Sequence, residues 1–338
     1  KAGLTVTVGG KRPGKVFLIR GDMDALSIQE EADVEFPSEN GKMHACGHDA
    51  HTAIALGLSK ALVEMKEQLT GNVVFIHQHA EEEDPGGAKS MIESGALSGV
   101  DVIFATHMEN YIPVDHLLYN ENYILGACDD FTIDILGFGG HGAFPQDTVD
   151  VIAVGAQLIS NLHQITSRKV DPLQSAVLSI GAFHAGEAAN VIPEKAQLKG
   201  TVRTFDEGVR QEMHKWVQTI TSHTCQAFGA TYEMDYMFGY PATKNDPTIT
   251  KLMVNAAEEV LPAENIQEVK PNMGAEDFSY FLQQVPGTYF FIGSANEEKG
   301  LIYPYHHPKF DIDEKALLNG AKVLASSMVD YWKTYNKG

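Results

Sequence analysis

The sequence predicts an α/β protein in which a domain of buried strands and helices is interrupted by a smaller inserted domain. Short apolar runs rich in β-branched residues, typical of buried strands, alternate with segments whose apolar residues recur at helical spacing; the runs are 16–20 (VFLIR), 72–77 (NVVFIH) and 102–105 (VIFA). From about residue 129 the order of elements becomes β–α–β–β–α–β, which is typical of a ferredoxin-like unit. After the inserted unit, the chain returns to apolar strand patterns that alternate with helical segments. The predicted divisions are therefore 1–127, 128–238 and 239–338, with the first and last forming one discontinuous domain.

The composition excludes several classes of partner. The 338 residues include 45 acidic and 25 basic side chains, a net charge of -20 at pH 7. Such a charge, with no basic cluster to offset it, opposes binding to a phosphate backbone, so we expect no nucleic-acid partner. No apolar run approaches the roughly 20 residues that cross a bilayer, and no signal peptide is recognisable, so we expect a cytoplasmic protein without a membrane partner.

The cysteines carry information through their number and spacing. Cys46, Cys128 and Cys225 are odd in number and far apart, so they imply no disulfide framework. Reduced thiols fit the cytoplasm, and they leave Cys46 available as a metal ligand.

The segment 44–52 (HACGHDAHT) concentrates ligand-type side chains, namely His44, Cys46, His48, Asp49 and His51. Soft and borderline ligands rarely gather in this way without a metal, because each would otherwise need its own hydrogen-bond partner. A histidine-rich helix N-terminus with one buried cysteine is the alternative interpretation.

Each of the three predicted strands is followed by acidic or imidazole groups. The carboxyl ends of the strands are the edge at which open α/β sheets bind ligands, so repetition at that edge favours a site. We expect the third strand to end at Ala105, directly before Thr106 and His107. The groups concerned are Asp22 and Asp24, Glu81 to Glu83, and His107, with a later pair, His306 and His307, between two prolines. A solvated acidic turn and a surface histidine pair are the alternatives for the glutamate triplet and the late histidines.

These residue types suit the hydrolysis of an amide. Two divalent ions a few ångströms apart lower the pKa of a bridging water towards about 7 and polarise the carbonyl, while a carboxylate accepts the proton. Candidate ligands are Cys46, His48, one glutamate of the triplet, His107 and a late histidine. Adjacent glutamates on extended backbone point in opposite directions, so one can face the metals and the next the substrate.

Motifs along nearly the whole chain resemble a known family. They are MDAL (23–26), MHACGHDAHT (43–52), HAEEE followed by PGGA (79–88), ATH (105–107), GGHGAFP (139–145), NVIPEKAQLKGTVRTF (190–205), MGAEDF (273–278) and HHPKFDIDE (306–314). In this order they resemble the dinuclear metallohydrolases of the aminoacylase and glutamate-carboxypeptidase type. The most similar subgroup contains indoleacetyl-amino-acid hydrolases, hippurate hydrolases and N-acetyldiaminopimelate deacetylases.

The sequence also departs from that family. Its usual leading helix and R-x-x-H-x-x-P-E segment do not occur in this sequence, FPQD (144–147) replaces the more frequent M-P-H, and His79 stands where proline is common. These differences bear on substrate choice more than on the metals.

The resemblance implies a zinc-peptidase-like catalytic domain, which is a mixed sheet flanked by helices, and a ferredoxin-like lid that also dimerises. It implies a metal-dependent amidohydrolase that cleaves N-acyl amino acids, with dipeptidase-, aminopeptidase- or carboxypeptidase-like cleavage of short peptides as the alternative. Two divalent ions are expected, zinc or manganese first, with cobalt or nickel also compatible. A homodimer or higher homo-oligomer through the lid domain is expected.

Roles in the catalytic domain follow from the resemblance, position by position. Cys46 resembles the subgroup's bridging thiolate, and the remaining ligands correspond to His48, Glu82, His107 and His306. Glu81 resembles the general base, although Glu83 leaves a slip of one residue open. Asp24 resembles the carboxylate that orients a ligand.

Three residues of the inserted domain also match the family. His141 resembles a residue that reaches into a partner subunit's site and binds the tetrahedral oxyanion. Asn190 and Arg203 resemble the groups that hold the substrate carboxylate, for which a forked guanidinium is suited. Without the resemblance, a turn histidine, a cap and a surface arginine are the favoured interpretations.

Two other classes of function compete with the metal enzyme. A cysteine-nucleophile amidase would use Cys46 with His48 and would survive chelation. The other is a catalytically silent binding protein on the same scaffold: the change Glu81→Gln should leave binding intact in both cases and should abolish turnover only if Glu81 is a working base.

Overall fold

The computed structural model describes residues 3–336, and Lys1, Ala2, Lys337 and Gly338 lie outside the described part. The chain divides into two compact units. The first comprises Lys1–Ile124, Thr243–Asn272 and Glu276–Gly338, and the second comprises Leu125–Ala242 and Met273–Ala275. Whether the divisions predicted from the sequence are independent domains stays a prediction.

Strands and helices are interspersed along the whole chain. The strands are β1 Leu4–Gly9, β2 Arg12–Asp22, β3 Thr70–Gln78, β4 Val102–Pro113, β5 Leu117–Tyr119, β6 Tyr123–Leu125, β7 Ala127–Leu136, β8 Gly140–His141, β9 Ala176–Ala185, β10 Val191–Ile192, β11 Lys195–Thr204, β12 Thr231–Phe238, β13 Thr243–Lys244, β14 Ile266–Glu268 and β15 Gly287–Ala295. The α-helices are α1 His48–Glu64, α2 Ala88–Glu93, α3 Val151–Leu162, α4 Gln164–Arg168, α5 Glu207–Ala227, α6 Pro247–Ala257, α7 Ser279–Leu282 and α8 Lys315–Tyr335.

The first unit is built on a mixed sheet with the strand order β1-β3-β2-β4-β15-β5-β14. The central strands β3, β2, β4 and β15 run parallel, whereas β1 is antiparallel to β3 and β5 to β15. Buried rings such as Phe17 and Phe104, whose centroids lie 4.5 Å apart, pack in one core with apolar residues of α1, α6 and α8. The predicted mixed sheet flanked by helices is confirmed.

Strand β4 is longer than the sequence predicts. It runs on through Thr106 and His107 to Pro113, so the expected end at Ala105 is wrong. The strand continues because β15 still pairs with it beyond the end of β2, with Glu109 opposite Gly293. The polar residues Thr106 and His107 are therefore buried residues near the site and do not mark the end of the strand.

Helix α1 begins where a glycine turns the chain. Gly47 has φ 80°, in the left-handed region, and a Cβ at this position would lie 3.2 Å from Cβ and Cγ of Met108. A residue with a side chain would be strained by both the dihedral and the contact. Glycine thus allows Cys46, before the turn, and His48, after it, to approach the same strand.

The second unit has an antiparallel sheet with the order β12-β7-β11-β9. Along the chain its main elements are β7, α3, β9, β11, α5 and β12, the β–α–β–β–α–β order of a ferredoxin-like unit. Buried Ile133 and Ile135 of β7 share a core with Leu158 of α3 and with Met213 and Val217 of α5.

The helices of the described residues lack the character of membrane spans. Within residues 3–336, none of them combines the length and apolar character that crossing a bilayer requires.

Candidate metal centre

Side chains from distant parts of the first unit converge at the carboxyl edge of the parallel strands. The ligand atoms of Cys46, His48 and His107 lie within 4.8 Å of one another, and so do those of Cys46, Glu82 and His306. Cys46 belongs to both groups. The arrangement thus offers two adjacent sets of ligands that share one sulfur.

Individual distances within this cluster are short. Cys46 Sγ lies 3.4 Å from His107 Nε2, and His306 Nε2 lies 3.1 Å from Glu82 Oε1. His48 Nε2 is 4.0 Å from the same glutamate oxygen. The structure therefore brings together the five residues that the sequence nominates as ligands, while their role as ligands stays a prediction.

Two atoms of the cluster test whether these residues fit a metal. His48 Nε2 and Glu82 Oε1 are buried, and neither has a hydrogen-bond partner in the described part of the chain. The nearby His306 ring does not meet hydrogen-bond geometry with that oxygen, despite the short distance. Leaving buried polar atoms unpaired is costly, and a divalent cation would satisfy both. The donor set of thiol, imidazole and carboxylate fits such an ion.

The electrostatics of the cluster favour added positive charge. Burial raises the pKa of the Cys46 thiol well above its ordinary value, and Glu82 and Glu81 raise it further. Burial alone would lower the pKa of His48, but Asp22 and Asp24 outweigh it, so this pKa rises to about 9. A cation bound by the cluster would offset the first effect and replace the proton that the second one favours.

Asp24 contacts two members of the cluster. Its Oδ1 lies 3.0 Å from His48 Nδ1, and its Oδ2 accepts a hydrogen bond from the Glu82 backbone N–H at 3.0 Å. A histidine whose Nδ1–H is bound in this way presents Nε2 towards the cluster. The carboxylate is therefore placed to orient one candidate ligand and to fix the backbone of another.

The chain turns sharply directly before the two adjacent glutamates. Ala80 has φ 55°, in the left-handed region, so the extended backbone predicted for this segment is wrong. Because of that turn the two side chains do not diverge, and carboxylate oxygens of Glu81 and Glu82 both lie within 4.8 Å of a His48 ring nitrogen. Non-glycine residues in this conformation cluster at functional sites.

Glu81 is the more deeply placed of the pair, with 8% of its surface exposed. Burial raises its pKa well above the ordinary value, Glu276 and Asp277 add to the increase, and Arg20 opposes it. Its Oε2 lies 4.0 Å from His48 Nε2. A buried carboxyl with a raised pKa beside a cluster of ligands has the character of a general base.

His306 reaches the cluster from the loop before α8. Its φ of 66° is again left-handed, and its backbone N–H donates to the carbonyl of Ala45 at 2.7 Å. This hydrogen bond ties the loop to the segment that carries Cys46.

A buried arginine network beneath the cluster was not assigned from the sequence. The guanidinium of Arg20 donates to Asp22 at 2.5 Å, to Glu276 at 2.8 Å and to Asp277 at 3.0 Å. Oxygens of Glu276 and Asp277 also lie within 4.8 Å of one of Glu81. The available signals were an arginine inside an apolar strand and the acidic pair of the MGAEDF motif.

His51 connects this network to strand β4. Its Nδ1 donates to Asp22 Oδ1 at 2.6 Å, and its Nε2 accepts from the Met108 backbone N–H at 2.9 Å. The carbonyl of Met108 in turn accepts from His107 Nδ1 at 2.7 Å. Both ring nitrogens of His51 are thus engaged, so it is a positioning residue and not a ligand. His44 likewise bonds outside the cluster, to the carbonyl of Asp24.

In the second unit, only two of the three nominated residues are neighbours. His141 pairs with Val191 in the β8–β10 ladder, and the N–H of Gly142 donates to the carbonyl of Asn190 at 2.8 Å. Arg203 lies opposite Cys128, whereas Lys195 of the same strand lies opposite Leu136, at the end that leads to β8. The eight residue steps from Lys195 to Arg203 span roughly 26 Å of strand. Arg203 therefore lies at the end of β11 remote from the segment that carries Asn190, and their role in binding a carboxylate stays a prediction.

The fold and this cluster together define a metal-binding hydrolase. The profile of Peptidase family M20/M25/M40 matches residues 18–330. The chain belongs to that family, and the resemblance inferred from its motifs is confirmed.

Individual relatives agree with this membership. Thermostable carboxypeptidase 1 of Saccharolobus solfataricus is 42% identical over 333 residues, covering 97% of this chain and 84% of that protein. An N-acetylcysteine deacetylase of Bacillus subtilis is 36% identical over 332 residues, covering 97% and 85%. The crystal structure of the Bacillus subtilis YXEP protein, described as a dinuclear metal binding peptidase of this family, has a TM-score of 0.84 at 32% identity, covering 98% of this chain and 85% of that one.

Proposed function

We propose that the protein is a dinuclear metal-dependent amidohydrolase that releases the acyl group from N-acyl amino acids. The observation that carries the proposal is the convergence of Cys46, His48, Glu82, His107 and His306, with His48 Nε2 and Glu82 Oε1 buried and unpartnered among the described residues. The relative named N-acetylcysteine deacetylase supports this substrate class.

The chain's own residues have separate tasks in this proposal. Divalent ions bound by the cluster would activate a water and polarise the substrate carbonyl. Glu81 accepts the proton of the attacking water on its carboxylate and passes it to the departing nitrogen. Asp24 holds His48 in its orientation, and the buried Arg20 network keeps the carboxylates around Glu81 fixed. The carboxylates of Asp24 and Glu81 are held in position before the substrate binds, so fewer side chains have to move during the reaction.

The proposed native ions are zinc or manganese. A thiolate ligand favours zinc, whereas imidazole and carboxylate ligands are also compatible with manganese, and cobalt or nickel fit the same donors. Metal analysis of protein purified without added metal distinguishes them.

Within the second unit, we assign His141 the role of stabilising the oxyanion in the site of a partner subunit. The position of Arg203 at the end of β11 remote from the segment that carries Asn190 supports an arrangement in which two chains contribute to substrate binding, as a homodimer or higher homo-oligomer. Mixed dimers of a His141→Ala chain and a Glu81→Gln chain should regain activity, because one of their sites has both residues intact. If no mixture of the two chains regains activity, His141 does not act in the site of a partner subunit.

Cleavage of short peptides is the second candidate within the same chemistry. The relative named thermostable carboxypeptidase 1, 42% identical to this chain, favours it. A substrate panel that includes N-acyl amino acids and dipeptides with the same C-terminal residue ranks the two.

Removal and return of the metal test the proposal as a whole. Dialysis against a chelator should abolish hydrolysis across the panel, and zinc or manganese should restore it. Activity that survives chelation but is lost on thiol alkylation would instead support a Cys46 nucleophile. Cys46, Cys128 and Cys225 are odd in number and far apart in the sequence, which suits a reducing compartment, so the cytoplasm is the proposed location.

A further inference from the structure

Strand β4 carries a second acidic group close to the metal cluster. Glu109 follows His107 by two residues, and the ladder with β15 is regular across both, so their side chains lie on the same side of the strand. Their Cα atoms are separated by about 6.6 Å at the rise of a β-strand. A group bound at Glu109 would therefore be a near neighbour of the reaction centre.

This carboxylate is buried without a positive partner. Glu109 exposes 7% of its surface, and none of the lysine, arginine or histidine side chains in residues 3–336 forms an ion pair with it. Its Oε1 accepts a hydrogen bond from the Tyr111 backbone N–H at 3.1 Å. No hydrogen bond to its Oε2 is found in the same range, and this oxygen is not among the fully enclosed unpaired atoms, so it is accessible to solvent or to a ligand. Buried carboxylates are ordinarily paired, so one left open beside a catalytic cluster is a candidate ligand group.

Tyrosine rings surround the same position. The ring of Tyr305 lies 6.0 Å from that of His107 and 5.5 Å from that of Tyr111, both edge-on, measured between centroids. Tyr305 therefore spans the segment of β4 that contains Glu109. Tyr111 is 66% exposed, so this pair of rings reaches solvent at one end.

A carboxylate flanked by tyrosine rings selects a particular chemistry. Organic cations gain both an ion pair and attraction to the faces of the rings. An anion would be repelled by Glu109, and a neutral apolar group would leave the carboxylate unpaired and desolvated. One carboxylate with aromatic neighbours supplies too few oxygens for a hard metal ion.

The geometry points to a subsite, formed by Glu109, Tyr305 and Tyr111, that binds a primary ammonium group of the substrate. This inference rests on the proposed amide hydrolysis and specifies its substrate class. The ammonium has two possible sources, the side chain of a basic amino acid or the free α-amine of a dipeptide.

Two matched pairs of compounds separate these sources. Nα-acetyl-lysine and Nα-acetyl-norleucine differ by a terminal ammonium, whereas alanyl-norleucine and propionyl-norleucine differ by an α-ammonium. In the metal-loaded enzyme we expect kcat/KM for the charged member of one pair to exceed that of its neutral partner by about tenfold or more, since hydrogen bonds to charged groups contribute on that scale. The pair that shows the preference identifies the source.

The variant Glu109→Gln removes the charge but retains an oxygen that accepts from Tyr111. It should lose the preference, by about 10- to 100-fold, while turnover of the neutral compounds stays within about twofold. Tyr111→Leu should reduce the preference by about two- to fivefold, because an exposed cation–ring contact is weak. Glu93→Gln, an equal charge change at an exposed position of α2, serves as the matched control and should retain it.

A binding measurement separates this subsite from the proposed hydrolysis. The same four compounds are titrated calorimetrically into metal-loaded Glu81→Gln protein and into the double variant with Glu109→Gln. Tighter binding of the charged members that disappears in the double variant supports the subsite, even if the wild-type enzyme hydrolyses none of the four. Absence of any preference for ammonium, including no binding at all, overturns it. Equal losses for charged and neutral compounds in Glu109→Gln would overturn it as well, because they indicate a structural role.

Discussion

The two units each bury an arginine against carboxylates, but they balance the charges differently. In the second unit, Arg210 meets one buried carboxylate, Asp129, with Nε 3.0 Å from Oδ1 and 3.1 Å from Oδ2. The hydroxyl of Tyr236 and the N–H of Gly239 also donate to Asp129. Charge is matched one to one among the buried groups, since the further partner of Arg210, Glu207 at 3.3 Å, is 57% exposed. Both oxygens of Asp129 have donors.

The corresponding network of the first unit is not balanced. Arg20 contacts Asp22, Glu276 and Asp277, and Glu81 lies beside the last two. Burial raises the pKa of Asp277 to about 7, with Arg20 opposing and Glu276 reinforcing the shift. The excess of carboxylate is unfavourable unless further positive charge is bound nearby, as divalent ions would provide. We infer that the balanced pair serves stability and that the unbalanced network serves the site.

The largest expected effect comes from the unbalanced side. Glu81→Gln keeps the shape of the side chain but removes the proton acceptor, so hydrolysis should fall by about two to four orders of magnitude. Binding of metal and substrate should persist, measured by metal analysis and calorimetry. Full activity of the Glu81→Gln variant would show that Glu81 is not the general base and would favour a neighbouring glutamate.

Asp129→Asn should act on stability and not on the site. It removes the buried counter-charge of the Arg210 guanidinium and leaves only the exposed Glu207 as an ionic partner, so the free energy of unfolding in urea should fall by about 3–5 kcal/mol. Metal content at the first unit should remain that of the wild type. The double variant Asp129→Asn with Arg210→Met should recover part of the loss, and a single variant as stable as wild type would contradict the distinction between the networks.

The smallest expected effect concerns the link between the Arg20 network and the candidate ligand His107. His51→Gln places an oxygen near the former Nε2, where it can accept from Met108, whereas His51→Asn retains a donor only towards Asp22. We expect Asn to weaken metal affinity by about 10- to 100-fold and Gln to weaken it less, because His51 holds the N–H of Met108 and the carbonyl of the same residue orients His107.

Competition with a chelator gives these affinities, and the absorption of the cobalt-substituted protein reports the Cys46 environment independently of activity. Equal affinities in both variants would show that His51 does not act through Met108.

Sequence patterns predicted the strands well because buried parallel strands carry continuous apolar runs. The patterns failed at Thr106 and His107, because these polar residues suggested the end of a strand although both lie inside β4. They also failed at Ala80, whose left-handed backbone directs both following glutamates to one cluster. A short stretch of sequence specifies neither feature, because the length of β4 depends on its pairing with β15 and the conformation of Ala80 depends on how the turn packs.

The α/β class, the family and the choice of ligand-type residues could all be read from the sequence, because they depend on periodicity and on motifs of fixed spacing. Which of these groups meet depends instead on the folded chain. Folding engaged both nitrogens of His51, left Nε2 of His48 without a partner among residues 3–336, and placed Arg203 at the end of β11 remote from the segment that carries Asn190. The physical reason is that contacts between residues tens of positions apart are set by the packing of whole elements, which no local pattern specifies.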